Sequence, residues 1–282
     1  MHKLIITVAP VGAEVTREQT PHVPITPAEI AGEARRAHAA GASIVHVHGR
    51  NPDGSPTQKR SVFGEIIDRV REATDLIVQV STGGAAGMTA EERLEPLDCE
   101  PDMATLTLGT LNFGREVFSN PLDLVERFAR EIRSRRIRPE VEIFDSGMLP
   151  TADRLVDQEL LADPLHYDFV MGVPGGIAAT PANLLHLAGQ VRRHASWTVA
   201  GMGRHQLPMA TLAILMGGHV RVGFEDNVYY TRGVLASSNA QLVERVVRLA
   251  HELGREVATP AEARKILGVR DHGARLHGKI SG

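Results

Sequence analysis

The sequence predicts a closed barrel of eight parallel β-strands, each followed by a helix. Short β-branched segments alternate with amphipathic helical segments eight times in about 250 residues. Strands joined through helices run parallel with right-handed crossovers, and eight such units make a (β/α)8, or TIM, barrel. The rival is an open doubly wound sheet, but no G-x-G-x-x-G follows the first strand. The polar residues that interrupt the strands also gather at their C-terminal ends, the face where such barrels carry their sites.

The elements follow in order. "LIITVAP" is strand 1, and "TPAEIAGEARRAHAAGA" a helix with a Thr N-cap, Pro in the first turn and Glu at capping-box spacing. "SIVHVHG" is strand 2, followed by the helix "SVFGEIIDRVREAT". "LIVQVST" and the short helix "TAEERLEPL" form the third unit, "MATLTLG" and the amphipathic "PLDLVERFAREIRSRR" the fourth. "VEIFDSG" and "TADRLVDQELLA" come next, then "YDFVMGV" and "TPANLLHLAGQVRR" with a second Thr-Pro start. "SWTVAGMG" leads to the apolar helix "LPMATLAILMG", and "HVRVGFED" to "NAQLVERVVRLAHELG". A further helix, "TPAEARKILG", precedes a Gly-rich tail. With no linker or low-complexity stretch, residues 1–282 read as a single barrel domain with a C-terminal helical extension.

Composition excludes several classes of partner. A net charge of −3 gives no reason to expect nucleic acid or an anionic membrane surface. The basic run Arg133–Arg138 is the solvated end of a helix. Lone Cys99 allows no intramolecular disulfide and sits in a connector without a catalytic pattern. No apolar stretch reaches the roughly 18 residues of a spanning helix, and the first residues lack a signal-peptide pattern. A soluble cytoplasmic protein is expected. The helix at 207–217 has few polar positions, which points to burial either in a homo-oligomer contact or beneath the C-terminal segment.

The predicted strand ends hold Glu14, His46, His48, Ser81–Gly84, Thr105, Thr107, Glu142, Asp145, Arg204, Arg221, Glu225 and Asp226. His46 and His48 alternate with Val45 and Val47, so both imidazoles share one face. That spacing suits one metal ion or two core histidines. At the catalytic end a metal needs a third ligand, and Glu225 supplies it from strand 8, the neighbour of strand 1 in a closed barrel. Two His and a carboxylate with an open position make a catalytic zinc site, although iron, manganese and cobalt also accept that set. "STGG" can cradle a carboxylate or phosphate through backbone amides and hydroxyls, or be a plain turn. Arg221 points into the barrel by alternation with Glu225. With Asp226 it forms either a base with an orienting partner or a structural salt bridge. Glu14 and Glu142 either pair with Arg204 or another internal cation, or await a cationic substrate.

With these residues in view, the chain resembles the β-keto acid cleavage enzymes. The likeness runs through "TVAPVGAE", "AGASIVHVHGRNPDGSPT", "QVSTGG", "PEVEIFDSGM", "GVPGG", "AGMGRHQLPMA" and "VRVGFEDN", in order along nearly the whole chain. It implies zinc held by His46, His48 and Glu225. It also implies a substrate carboxylate held by Ser81, Gly84 and Thr105, an Arg221–Asp226 pair, and family glutamates at Glu14 and Glu142. Gly49 and Asn51 stand where the family often has a larger residue and Asp, which is expected to widen the mouth.

The reaction so implied joins a β-keto acid to acetyl-CoA and releases acetoacetate and a new acyl-CoA. Zinc acidifies the carbon between ketone and carboxylate, and Asp226, linked to Arg221, removes its proton. The carbon attacks the acetyl thioester, and the CoA thiolate then breaks the older carbon–carbon bond. Gly175–Gly176 and Gly201–Gly203 are candidates to admit the pantetheine arm. A tetramer is implied by the same resemblance. The alternatives are a zinc hydrolase, which would turn over without CoA, and a non-catalytic metal- or metabolite-binding barrel. A cationic keto acid fits if Glu14 and Glu142 face an open pocket, a neutral one if they are paired.

Overall fold

The computed structural model describes residues 2–270. Eight parallel strands close into one barrel: β1 Ile6–Val8, β2 Ile44–Val47, β3 Ile77–Val80, β4 Met103–Thr107, β5 Arg138–Ile143, β6 His166–Met171, β7 Ser196–Gly201 and β8 His219–Val222. Strand β8 pairs with β1, so the last strand end stands beside the first. The principal helices are α1 Pro27–Ala40, α2 Arg60–Ala73, α3 Ala90–Leu94, α4 Leu122–Ser134, α5 Leu149–Asp157, α6 Pro181–Ala188, α7 Gln206–Met216, α8 Asn239–Glu252 and α9 Pro260–Leu267. Each strand is followed by the helix expected of it. Three small hairpins were not foreseen, at 49–57, 111–118 and 229–235. Their strands of two or three residues are too short to carry a pattern. No described helix is long and apolar enough to cross a membrane.

The capping box predicted at Thr26 forms. The Thr26 hydroxyl accepts from the Glu29 amide, and Glu29 accepts from the amides of Thr26 and Ile25 at 2.9 and 2.8 Å and from Arg17. Partial burial works against the Glu29 charge, but the two amides and the guanidinium outweigh it and hold the carboxyl at about 2. Since Glu29 is 43% exposed, solvent screening limits the gain. A Glu29→Gln variant should lose about 0.5–1 kcal/mol at pH 7. A depressed carboxyl stabilises above its unfolded value near 4.5, so the difference should shrink as pH falls toward 2. Urea midpoints of both proteins across that range check it; a pH-independent gap would remove the charge from the account.

The barrel floor is apolar. Ile5, Ile44, Ile77 and Met103 enter it from the strand starts and pack on Ala263 and Leu267 of α9. The described part of the C-terminal extension thus seals the floor, and Arg255 ahead of it donates to the Ile214 carbonyl at the end of α7. The Gly-rich tail beyond residue 270 lies outside the described residues. Helix α7 buries Met209, Ala210, Ala213 and Ile214 and leaves Leu215 54% exposed. Arg133, Arg135 and Arg136 are exposed at the helix end as expected, with Arg135 paired to Asp98 and Glu131, whereas Arg138 belongs to the start of β5 and is partly buried. Cys99 is half-buried and its thiol donates to the Arg60 carbonyl at the start of α2.

Above the floor the interior turns polar, where barrels of this class are normally filled by branched apolar side chains. Thr7, His46, Gln79, Thr105, Glu140, Asp168, Thr198 and Arg221 are all buried on the strands. Such a column is costly unless its members satisfy one another, and most of it does so at the site.

Candidate active site

His46 and His48 stand where alternation put them. His46 Nε2 and His48 Nε2 lie 3.6 and 3.4 Å from the same oxygen, Glu225 Oε1. A tetrahedron with bonds of about 2.1 Å has edges of about 3.4 Å. Both His–Glu distances match such an edge, and the three ligand atoms all lie within 4.8 Å of one another. The other carboxylate oxygen, Glu225 Oε2, is buried without a hydrogen-bond partner. Burial pushes His46 down to about 4, so its imidazole is neutral at pH 7, the form that ligates a metal. Burial also opposes the Glu225 charge, but Arg221 outweighs it and keeps the carboxylate ionised. The residues fit a divalent cation.

Glu225 arrives by a different route from the one alternation suggested. Strand β8 ends at Val222, three residues short of it. A turn carries the chain inward, with the Asp226 and Glu225 amides donating to the carbonyls of Gly223 and Ala9. Arg221 does project from β8 into the barrel. It is 4% exposed and donates to Asp226 through two nitrogens, at 3.1 and 2.8 Å, and to Glu225. Its third terminus lies 3.5 Å from Asp168 Oδ2. Burial pushes Asp226 up to about 6 although Arg221 opposes the shift, which places it among carboxyls able to take a proton near neutral pH.

Ser81, Gly83 and Gly84 line the cavity that also holds His48, Glu225 and Asp226. Gly84 has φ +64°, and a Cβ there would meet Met88 Sδ at 2.6 Å, so the turn needs glycine. Thr105 does not line this cavity. Its side chain is fully buried and accepts from the Thr82 amide, which holds the Ser81–Gly84 turn from below. Arg93, missed in the sequence, binds the turn from behind by donating to the Thr82 carbonyl at 2.7 Å.

Glu14 and Glu142 both line the cavity. Among the described residues neither is in an ion pair; Glu142 accepts from the Thr107 hydroxyl, and Arg204 turns to His205 instead. Burial raises Glu142 above the usual carboxylate range. The loop carrying Glu14 is held by Arg50, a second missed residue, which donates to the carbonyls of Gly12 and Val15. Asp145 sits outside, capping the Gly147 amide. The expected widening at Gly49 does not occur, because its bare face packs on Phe63 and the Thr57 carbonyl, each 2.8 Å from where a Cβ would be. Asn51 bonds Ser55 in the hairpin turn. Gly175, Gly176 and Gly201 are likewise closed over by protein backbone, which leaves Gly203 alone of those four open.

Residues 3–269 match the family model described as beta-keto acid cleavage enzyme. The chain belongs to the beta-keto acid cleavage enzyme family. A 3-keto-5-aminohexanoate cleavage enzyme of Acetoanaerobium sticklandii is 53% identical over 95% of this chain and 99% of its own. A 3-oxoadipate:acetyl-CoA acetyltransferase of Cupriavidus necator is 40% identical over 94% of each chain. A solved ternary complex of ObcA with a C4-CoA adduct and oxalate matches with a TM-score of 0.76 at 21% identity, over 88% of this chain and 68% of that one, a likeness of fold. This beta-keto acid cleavage enzyme is a TIM barrel.

Proposed function

We propose that the protein converts a cationic β-keto acid and acetyl-CoA into acetoacetate and a new acyl-CoA, with zinc at His46, His48 and Glu225. The observation that carries this reading is one cavity lined by His48 and Glu225, two of a three-ligand metal set completed by buried His46, together with a glycine-hydroxyl turn, an Arg–Asp pair and two glutamates that are in no ion pair among the described residues. A divalent ion bound there would supply Lewis-acid polarisation of a ketone oxygen. Ser81, Gly83 and Gly84 would hold the substrate carboxylate and fix the orientation of the carbon beside it. Asp226 would take the proton from that carbon, with Arg221 holding the carboxylate in place. The new carbon–carbon bond then forms to the acetyl carbon, the departing CoA thiolate takes the original acyl group as the older carbon–carbon bond breaks, and Asp226 returns its proton to the carbon left in acetoacetate. Every atom of the keto acid is thereby divided between acetoacetate and the acyl-CoA.

The substrate's charge is argued from Glu14 and Glu142. Glu142 is buried in no ion pair, which is unfavourable for its charge, and Glu14 stands exposed in the same lining; a bound ammonium would be attracted by both. The 53% identical relative acts on a keto acid whose name carries an amino group, while the 40% identical one names a keto diacid. The test is acetoacetate production by zinc-loaded protein with acetyl-CoA and a panel of cationic, neutral and acidic β-keto acids. Turnover of the cationic member alone supports the reading, and Glu14→Gln should then raise its KM about tenfold with little change in kcat, the mark of lost uniform binding. Turnover only of neutral or acidic members removes the assignment of Glu14 and Glu142. Cleavage without acetyl-CoA would replace the transferase with a zinc hydrolase.

We also infer that the exposed side of α7 around Leu215 meets a second copy of the chain. Light scattering of the purified protein tests this, and a monomer at assay concentration would refute it.

A further inference from the structure

Behind the metal ligands runs a buried chain of polar groups that the proposed reaction does not use. His46 Nδ1 lies 2.7 Å from Gln79 Oε1, its neighbour across the β2–β3 pairing. The Gln79 amide nitrogen donates to Glu140 Oε1 at 2.9 Å. Glu140 Oε2 lies 2.8 Å from His166 Nε2, and His166 Nδ1 lies 2.8 Å from the Ser196 hydroxyl. His46, Gln79, Glu140 and His166 are each at most 1% exposed. The chain crosses the barrel from β2 to β7 and ends on the Nδ1 of a proposed ligand.

Hydrogen-bond chemistry gives this chain a direction. An ionised carboxylate accepts and cannot donate. Burial works against the Glu140 charge, but His166 outweighs it and keeps the carboxyl below its usual range. The Gln79 NH2 group must therefore face Glu140, which turns the amide oxygen toward His46. That oxygen can only accept, so His46 must carry its proton on Nδ1. The lone pair is left on Nε2, the atom 3.6 Å from Glu225.

We propose that Gln79 and Glu140 are positioning residues for the metal site, a carboxylate acting through an amide to hold His46 in the Nε2-ligating tautomer and orientation. This rests on the assignment of His46, His48 and Glu225 as ligands. Metal-bound histidines commonly give their second N–H to a carboxylate or carbonyl. Here the carboxylate acts at one remove. The imidazole therefore receives less negative charge than from a direct contact, while its tautomer is set just as firmly.

The test measures zinc affinity by competition with a chromophoric chelator, and the visible spectrum of the cobalt(II)-loaded protein, for wild type, Gln79→Leu, Gln79→Glu and Glu140→Gln. Loss of such partners typically weakens metal binding 10–100-fold. Gln79→Leu should fall in that range and shift the cobalt bands. Gln79→Glu restores an acceptor to Nδ1 and should recover affinity to within about threefold. Glu140→Gln keeps an acceptor for the Gln79 amide while removing the charge, so it reads the charge even if the leucine variant fails to fold. A structural role alone would lower the melting temperature of the metal-free variants and leave zinc affinity and cobalt bands unchanged, which would overturn the proposal. Wild-type protein that binds no metal would overturn the ligand assignment, and this inference with it. Wild-type binding with equal affinity in all three variants would overturn only the positioning role.

Discussion

An Arg221→Met variant will lose about 3–5 kcal/mol of folding stability in the metal-free protein, the cost of breaking a buried ion pair by removing one partner. Arg221 is 4% exposed and its guanidinium stands among Asp226, Glu225 and Asp168. Asp168 has no hydrogen-bond partner for either oxygen, so Arg221 is its near charge partner. Methionine fills much of the same volume but leaves three carboxyls facing one another. They would escape by binding protons more tightly in the folded than in the unfolded state. A carboxyl so raised makes stability fall as pH rises above its unfolded value. The deficit should therefore be largest at pH 7 and shrink toward pH 4. Denaturant unfolding at both pH values measures it, and a loss below 1 kcal/mol at pH 7 would mean the carboxyls are already neutral in the native protein.

An Asp226→Asn variant should behave in the opposite way, with the fold kept and turnover reduced about 10²–10⁴-fold, the usual worth of a positioned general base. Asparagine keeps an oxygen to accept from Arg221 and removes the proton acceptor. Two readouts separate base from salt bridge. One is kcat for acetoacetate formation at saturating substrates. The other is enzyme-dependent exchange of the keto acid's C2 hydrogens with deuterated solvent in the absence of acetyl-CoA. Both should fall together. Unchanged exchange with a normal melting temperature would leave the Arg221–Asp226 pair a structural bridge and send the search for the base elsewhere in the cavity.

The barrel was legible because each strand is short, apolar and followed by a capped or amphipathic helix. Thr26, Thr89 and Thr259 each close a capping box. The His46–His48 pair was legible because a strand's two-residue period leaves no choice of face. Glu225 was named for a partly mistaken reason: the order of strands in a closed barrel brings it to β1, but a turn after β8 aims it. Gly49 misled because a missing side chain reads as open space in a sequence, whereas Phe63 fills it here. Gln79, Glu140, His166 and Asp168 lie within their strands, away from the strand ends that mark the active face of a barrel. Their signal is present as polar residues at alternate positions within strands, Gln79 with Ser81, Glu140 with Glu142 and His166 with Asp168. Arg50 and Arg93 could not be found that way, since each acts on backbone carbonyls of a distant loop.

The sealed floor makes the barrel a cup and not a pipe. With α9 corking one end, whatever enters the polar interior must leave by the way it came. Traffic is then governed at the lip, where Glu14, an exposed acid of the cavity lining, stands.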